Sequence, residues 1–421
     1  VGDKPKLSAL RQSVVAAGHP LAAWVDYWDL SGRLTSATVG EVEAFYERWP
    51  RTYVEDRLRN DWLLELGRRR DGTAFLRDWP RFKMRDDKEV TCYGLWAQIQ
   101  TGQSGQTGQA GQDMQAVREA AREAGREAWW AQREADDGCQ QLALALFNAK
   151  HLSVKDVWHK VRLATEMNRP KVAKAAAALL GTQEERAVTL ALDKPEKELN
   201  KKTPLNSDTA RQVRLLALMK WASSDPQGAA KRLQEPWARQ WPASWAALGW
   251  AAVGKQSALK LMPEAAGAFQ KAWALQQQAP EPWGWSDDTL AWGVRAALRS
   301  EQPNAERWAA ALQAIEAMSA SEQKDPAWVY WKARALLARS ADGTASEASK
   351  GMARQLLQSI VSPFTFYGKL ALEELGGRLA LPPAPAPLTS QERQAAAEHP
   401  GLQRALQLLS LGLRSEGVRE W

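Results

Sequence analysis

Asp61 and Glu65 stand four residues apart in a segment that also carries Arg57, Arg59 and Arg68. Two carboxylates on one helical face could act as a catalytic pair, dividing a reaction between an acid and a base. Guanidinium groups so close keep carboxylates ionised, so a solvated ion-pair face is the expectation and no catalytic residue is assigned. The only two cysteines, Cys92 and Cys139, are 47 positions apart, with no CxxC spacing and with His151 and His159 lying beyond the second. That pattern supplies no metal-ligand set, and nothing else in the chain calls for a cofactor. A disulfide is the favoured reading, closing a loop worth roughly 4 kcal/mol in the chain-entropy model and implying an oxidising compartment. Two unrelated buried thiols stay open as the alternative. The Gly-Gln-Ser run from Thr101 to Gln112 precedes no Lys-Ser or Lys-Thr pair and follows no strand. It therefore lacks the context of a phosphate cradle and is expected to be a flexible insertion.

The elements around these residues are helical. Leu58, Trp62, Leu63 and Leu66 recur three and four apart, which predicts a helix over Val54–Leu66 closing at Gly67, between turns at Trp49-Pro50 and Trp79-Pro80. Similar periodicity predicts helices over Leu7–Ala17, Leu21–Leu30, Val39–Trp49 and Gly72–Trp79, then Gln115–Trp130, Cys139–Ala149, Ser153–Met167 and Lys171–Leu180. A charged stretch broken by Pro195 and Pro204 predicts a longer connection before Asp208–Trp221. No segment alternates long enough to form a strand. The fold class is therefore all-α, a superhelix of antiparallel helical pairs.

At 421 residues and 45% apolar content the chain can bury a large core. No apolar run approaches the roughly 18 residues of a membrane span, and the opening at Val1 without a leader suggests a mature or trimmed product. Its 56 basic and 49 acidic residues leave a net +7, which suits an anionic partner but is spread along the chain.

Trp245, Leu248 and Gly249, followed by Ala265, Phe269, Ala272 and then Pro280, have the spacing of the two helices of a tetratricopeptide repeat, with a longer gap between them. A weaker echo runs through Trp328, Trp331, Ala335 and Leu336 into Ala353, Leu356 and Leu357. Twenty-two tryptophans are several times an ordinary domain's share. Beside alanine at helical spacing they are expected to wedge helices apart, with those on an inner wall free to stack on sugar rings. Leu381–Pro387 must be extended, which divides the chain into a helical superhelix at 1–380, a Pro-rich linker at 381–389 and the start of a small helical domain at 390–421.

The run Asp56-Arg57-Leu58-Arg59-Asn60-Asp61-Trp62-Leu63-Leu64-Glu65-Leu66-Gly67, Cys92-Tyr93 with Cys139, Trp328 through Trp331, Phe366-Tyr367 before Ala371-Leu372-Glu373-Glu374-Leu375-Gly376, and Arg414 through Trp421 resemble the amino-terminal region of the large soluble lytic murein transglycosylases. The resemblance covers nearly the whole chain. It implies a ring of helical pairs, a small linker domain beginning near residue 390, and a disulfide between Cys92 and Cys139. It also implies a periplasmic parent enzyme that cuts between N-acetylmuramic acid and N-acetylglucosamine to leave 1,6-anhydro ends. Peptidoglycan strands would be its partner, with other cell-wall proteins as further partners. The family's catalytic Glu-Ser, Gly-Leu-Met-Gln and Ala-Tyr-Asn motifs do not occur. Gly94-Leu95-Trp96 and Gly401-Leu402-Gln403 are superficial echoes, and Glu416 follows its serine in the wrong order. This chain is therefore expected to be non-catalytic, with the catalytic domain missing from it.

Two other readings fit parts of the sequence. A free-standing scaffold for protein partners would use the same repeats. A nucleic-acid solenoid would use the charge, but base-reading residues at fixed positions of regular units are absent, so nucleic acid is not an expected partner. Titration of the unreduced, unfolded protein should find close to no free thiol, and Cys92→Ser should lower stability by about 2–5 kcal/mol in a denaturant titration.

Overall fold

A computed structural model describes residues 4–101, 109–201, 205–279, 284–341, 347–380 and 383–421. Among the described residues there are twenty-four α-helices, four short 3-10 turns and no strand, and the α-helices alone hold more than two thirds of the chain. The all-α class expected from periodicity is the one observed.

Local chemistry places many of the helix starts. Thr38 accepts from the Glu41 backbone N–H at 3.3 Å while the Glu41 carboxylate accepts from the Thr38 N–H at 2.9 Å, a reciprocal cap that opens the helix Val39–Arg48. The Thr38 backbone N–H and the Arg33 guanidinium together hold the Glu41 carboxyl down to about 2. Thr52 caps Tyr53–Arg68 and Asp136 caps Asp137–Asn148 in the same sense.

Three details of the sequence reading change. The helix Tyr53–Arg68 runs through Gly67, which is buried; a Cβ there would lie 2.4 Å from the Tyr93 ring. Gly67 is a point of close approach, and the left-handed residue that turns the chain is Arg70, with φ +62°. Pro195, read as a breaker, opens the short helix Pro195–Leu199, where a first-turn proline loses no internal hydrogen bond. Within the Gly-Gln-Ser run, residues 102–108 lie outside the described residues, and Gln109 already begins the helix Gln109–Ala131. Pro204 and Pro280 also lie outside them.

Backbone contacts group the chain into two compact units, Val1–Asp156 with Pro385–Trp421, and Val157–Ala384. In the first, Trp24, Phe45, Leu58, Trp62, Tyr93 and Leu408 share one core. Cys92 and Cys139 are bonded, joining the helix Lys88–Thr101 to Asp137–Asn148 with their Cα atoms 4.9 Å apart. Residues 383–389 carry no helix. The helices Pro400–Ser410 and Arg414–Glu420 then pack together and are fastened at Glu420. Its carboxylate accepts the Trp24 indole N–H at 2.9 Å and the Arg404 guanidinium at 2.5 and 2.6 Å, and its side chain is 2% exposed.

The second unit shows stacking of pairs. Ala243–Leu259 packs on Ala265–Gln277, Asp287–Arg299 on Asn304–Glu316, and Pro326–Ala341 on Glu347–Ile360. Ala243–Leu259 also contacts both Asp208–Ser224 and Asp287–Arg299, so first helices of successive pairs form a continuous row. Tyr330, Ala333, Ala353, Leu357 and Ala371 form one buried cluster, which joins the last of these pairs to the helix Phe366–Glu374.

Replacing Glu420 by Ala would leave the half-buried Arg404 guanidinium and the Trp24 indole N–H without their acceptor. A loss of about 3 kcal/mol is expected, read as a lower urea midpoint, with faster amide exchange over residues 400–421.

Candidate functional site

The acidic residues singled out by sequence are engaged in ion pairs with arginines of their own helical stretch. Asp61 accepts from the Tyr27 hydroxyl at 2.8 Å and pairs with Arg57 at 3.2 Å. Glu65 is only 6% exposed and pairs with Arg68 at 3.1 Å and Arg69 at 2.8 Å. Arg59, 2% exposed, turns away from both, toward Asp78 and Glu55, with its guanidinium 4.0 Å from the Tyr46 ring centroid. The expected solvated face is thus partly interior. Arg69 reaches across Glu65 to the carbonyls of Leu34 and Thr35 at 2.8 and 3.0 Å and covers it.

Burial also raises three carboxyl pKa values, at Asp78, Glu89 and Asp136. Each is closed off by its partners. Asp78 is held by Arg59 and the Tyr46 hydroxyl, while Glu89 and Asp136 accept the backbone N–H groups of Gly138 at 3.3 Å and Cys139 at 2.7 Å. Among the described residues no group of three or more His, Cys, Asp and Glu converges as a metal site would require, and no helix is long and apolar enough to cross a membrane.

A hollow of aromatic and cationic character lies in the second unit. It is an open groove of about 970 Å³ floored by Ala265, Ala266 and Ala296, with walls of aromatic and cationic side chains. Asp287–Arg299 contributes Trp292 and Arg295, one helical turn apart, and Pro326–Ala341 contributes Trp328 and Trp331 at the same spacing. The Arg295 guanidinium sits 4.8 Å from the Trp292 ring centroid and 5.2 Å from that of Trp328. A cation between two indoles is fixed in place while its outer edge stays exposed. Trp328 donates its indole N–H to Glu322 at 2.8 Å and is buried at 6% exposure. Trp331 stands edge-on to Tyr330 at 5.3 Å, and Tyr330 lies 5.6 Å from Tyr367, so the aromatic wall continues to the start of the helix Phe366–Glu374. The groove's only carboxylate is the exposed Glu301. Such a surface can stack on flat or ring-shaped ligands and attract negative charge. It holds no pair of carboxyl groups to share an acid–base reaction.

An all-α superhelix carrying an open groove of indoles and guanidinium groups is the class these features define. Its fold is that of a solved inactive variant of the lytic transglycosylase Slt from Pseudomonas aeruginosa, with TM-score 0.56 and 20% identity over 98% of this chain and 62% of that one. The 70-kDa soluble lytic transglycosylase from Escherichia coli aligns over 100% of this chain and 65% of that one, with 17% identity and TM-score 0.49. A complex of the 70-kDa soluble lytic transglycosylase with bulgecin A aligns over the same shares at TM-score 0.48. The chain therefore spans less than two thirds of the length of these structures. No family model and no curated relative matches it. The fold thus matches that of a lytic transglycosylase, the group whose motifs the sequence resembles.

Sequence reading assigned no substrate-binding residue. Trp328 and Trp331 were placed in a repeat without a role, and Trp292 with Arg295 went unremarked although their spacing of three puts them on one helical face. Which indoles face a groove depends on how one pair stacks on the next. One pH effect follows from the ion-pair network around Asp61. Burial, and then Asp61, push the Tyr27 hydroxyl up to about 12. The folded chain keeps this proton where an unfolded tyrosine loses it, so the stabilisation is complete below about pH 10 and is lost between about pH 10 and 12. Urea midpoints over that range should fall less steeply for Tyr27→Phe than for the native chain.

Proposed function

We propose that this chain is the scaffold and peptidoglycan-engaging portion of a periplasmic lytic transglycosylase, that it binds glycan strands, and that it does not itself cleave them. In the parent enzyme the bond between N-acetylmuramic acid and N-acetylglucosamine would be broken to give 1,6-anhydro ends. The observation that carries this reading is the groove of Trp292, Arg295, Trp328, Trp331 and Tyr367 on a fold shared with Slt. Indoles suit the apolar faces of pyranose rings, and Arg295 with Arg299 suits the lactyl and peptide carboxylates of murein. Cleavage would need a carboxyl of raised pKa facing an open cleft. None of the three raised carboxyls lines either hollow of the second unit, and the family's catalytic motifs do not occur in the sequence. We further assign 390–421 to the opening of a linker domain and Cys92–Cys139 to an exported protein.

A protein-interaction scaffold is the second reading, favoured by Phe364 and Phe366, which are 76% and 70% exposed beside the groove residue Tyr367. Incubation of the purified chain with intact murein sacculi separates the two. Binding is expected without release of anhydro-muropeptides. It should weaken as salt rises, and Arg295→Ala or Trp331→Ala should each reduce it roughly tenfold. Retention unaffected by both substitutions would favour the scaffold, and soluble anhydro-products at enzyme-like rates would overturn the non-catalytic assignment.

A further inference from the structure

Beside the aromatic groove, and sharing Ala266 and Gln302 with it, is a second hollow of about 350 Å³ with different chemistry. Four carboxamides line it. Gln270 and Gln277 lie two turns apart on Ala265–Gln277, about 10 Å along the axis, while Gln302 precedes the helix Asn304–Glu316 and Gln313 lies on it. None of the four has a side-chain hydrogen-bond partner among the described residues, and the Gln302 Oε1 is shielded from solvent as well as unpaired. Trp273 forms the apolar wall. Its ring is held against Trp285 with centroids 4.3 Å apart, so it is a fixed platform. The lining carries no cation, and its single ionisable group is the exposed Glu306.

These features select a ligand class. An apolar occupant would cover carboxamides without pairing them, which is costly, and an anionic one would meet Glu306 with no cation to offset it. A carboxamide offers two donors and an acceptor, matching hydroxyls and acetamido groups, and an indole face suits the C–H face of a pyranose. We infer that this hollow is a subsite for a neutral N-acetylated amino sugar, next to a groove that takes the anionic part of the strand. The inference rests on the glycan-binding reading above and adds a chemical division within it. A strand lying across both hollows would place an uncharged sugar against Gln270, Gln302 and Gln313 and carboxylate-bearing groups against Arg295.

The test uses the full 421-residue chain and three probes: a soluble N-acetylglucosamine oligomer, a glucose oligomer of equal length, and a carboxylate-bearing muropeptide. Calorimetric affinities are compared for the native chain, Gln270→Ala/Gln313→Ala, and Arg295→Ala, with helicity and melting temperature checked for each. The double glutamine variant should bind the N-acetylglucosamine oligomer roughly tenfold more weakly, the effect of losing two hydrogen bonds, and that binding should change little with salt. Arg295→Ala should weaken only the muropeptide, and the glucose oligomer should bind the native chain less tightly than its acetylated counterpart. An N-acetylglucosamine affinity unchanged by the glutamine substitutions overturns the subsite. If muropeptide binding still depends on Arg295 in that case, the glycan-binding reading survives. If no probe binds the native chain, both fall.

Discussion

A helical pair with a single apolar stripe has no interior of its own, and this protein is built almost wholly from such pairs. Each pair must cover its stripe with the next. In the second unit the row Asp208–Ser224, Ala243–Leu259 and Asp287–Arg299 does this with small residues on the buried side, among them Ala217, Ala247, Ala251 and Ala297. Alanine lets backbones approach, and tryptophan fills what remains, as Trp245, Trp250 and Trp308 do. The stacking is also what creates hollows. The hollows are lined in part by the same side chains that complete the cores, as Trp328, Ala297 and Ala314 show.

Close approach is set at a few points. Tyr93 packs where Gly67 leaves room, and Phe269 packs against Gly254, where a Cβ would come within 2.8 Å of the ring. Tyr93 follows the disulfide-bonded Cys92, so the covalent link and the tightest ring contact lie at the same place on Lys88–Thr101. Charges in the first unit serve the same end. Asp26 receives Arg11, Arg48 and the Trp49 indole N–H, and Glu420 receives Arg404 and Trp24, so that most buried carboxylates there are saturated by structural donors. At Asp78, Glu89 and Asp136 burial raises the carboxyl pKa while the bonded donors lower it.

The groove follows a different rule. Arg295 is held between two indoles without a carboxylate partner, and the four glutamines next to it are unpaired. Of these groups the Gln302 Oε1 is shielded from solvent without a partner, and a buried acceptor left unpaired is a cost that a ligand donor can remove. The two neighbouring hollows differ in charge and meet at Ala266 and Gln302.

Periodicity in Tyr53–Arg68, the spacing of Trp245 to Ala272 and the absence of alternating stretches were sufficient to establish an all-α chain of antiparallel pairs, because helix formation and amphipathic burial are decided within a few turns. The motifs from Asp56 to Gly67 and around Cys92 also pointed to the proteins whose fold it shares. The role of Gly67, the first-turn placement of Pro195 and the burial of Glu65 were not legible locally, since each depends on a neighbour distant in sequence: Tyr93, the helix that follows, and Arg69 reaching to Leu34. The groove is the extreme case. Trp292, Arg295, Trp328, Trp331 and Gln302 are ordinary helix and turn residues in the sequence, and helical periodicity identifies a shared face without saying what that face meets. The sequence by itself determined the helices and the chemistry available on each. Only the tertiary structure decided which of those side chains completed a core and which were left facing a hollow, because that choice is made by the angle at which one helical pair stacks on the next.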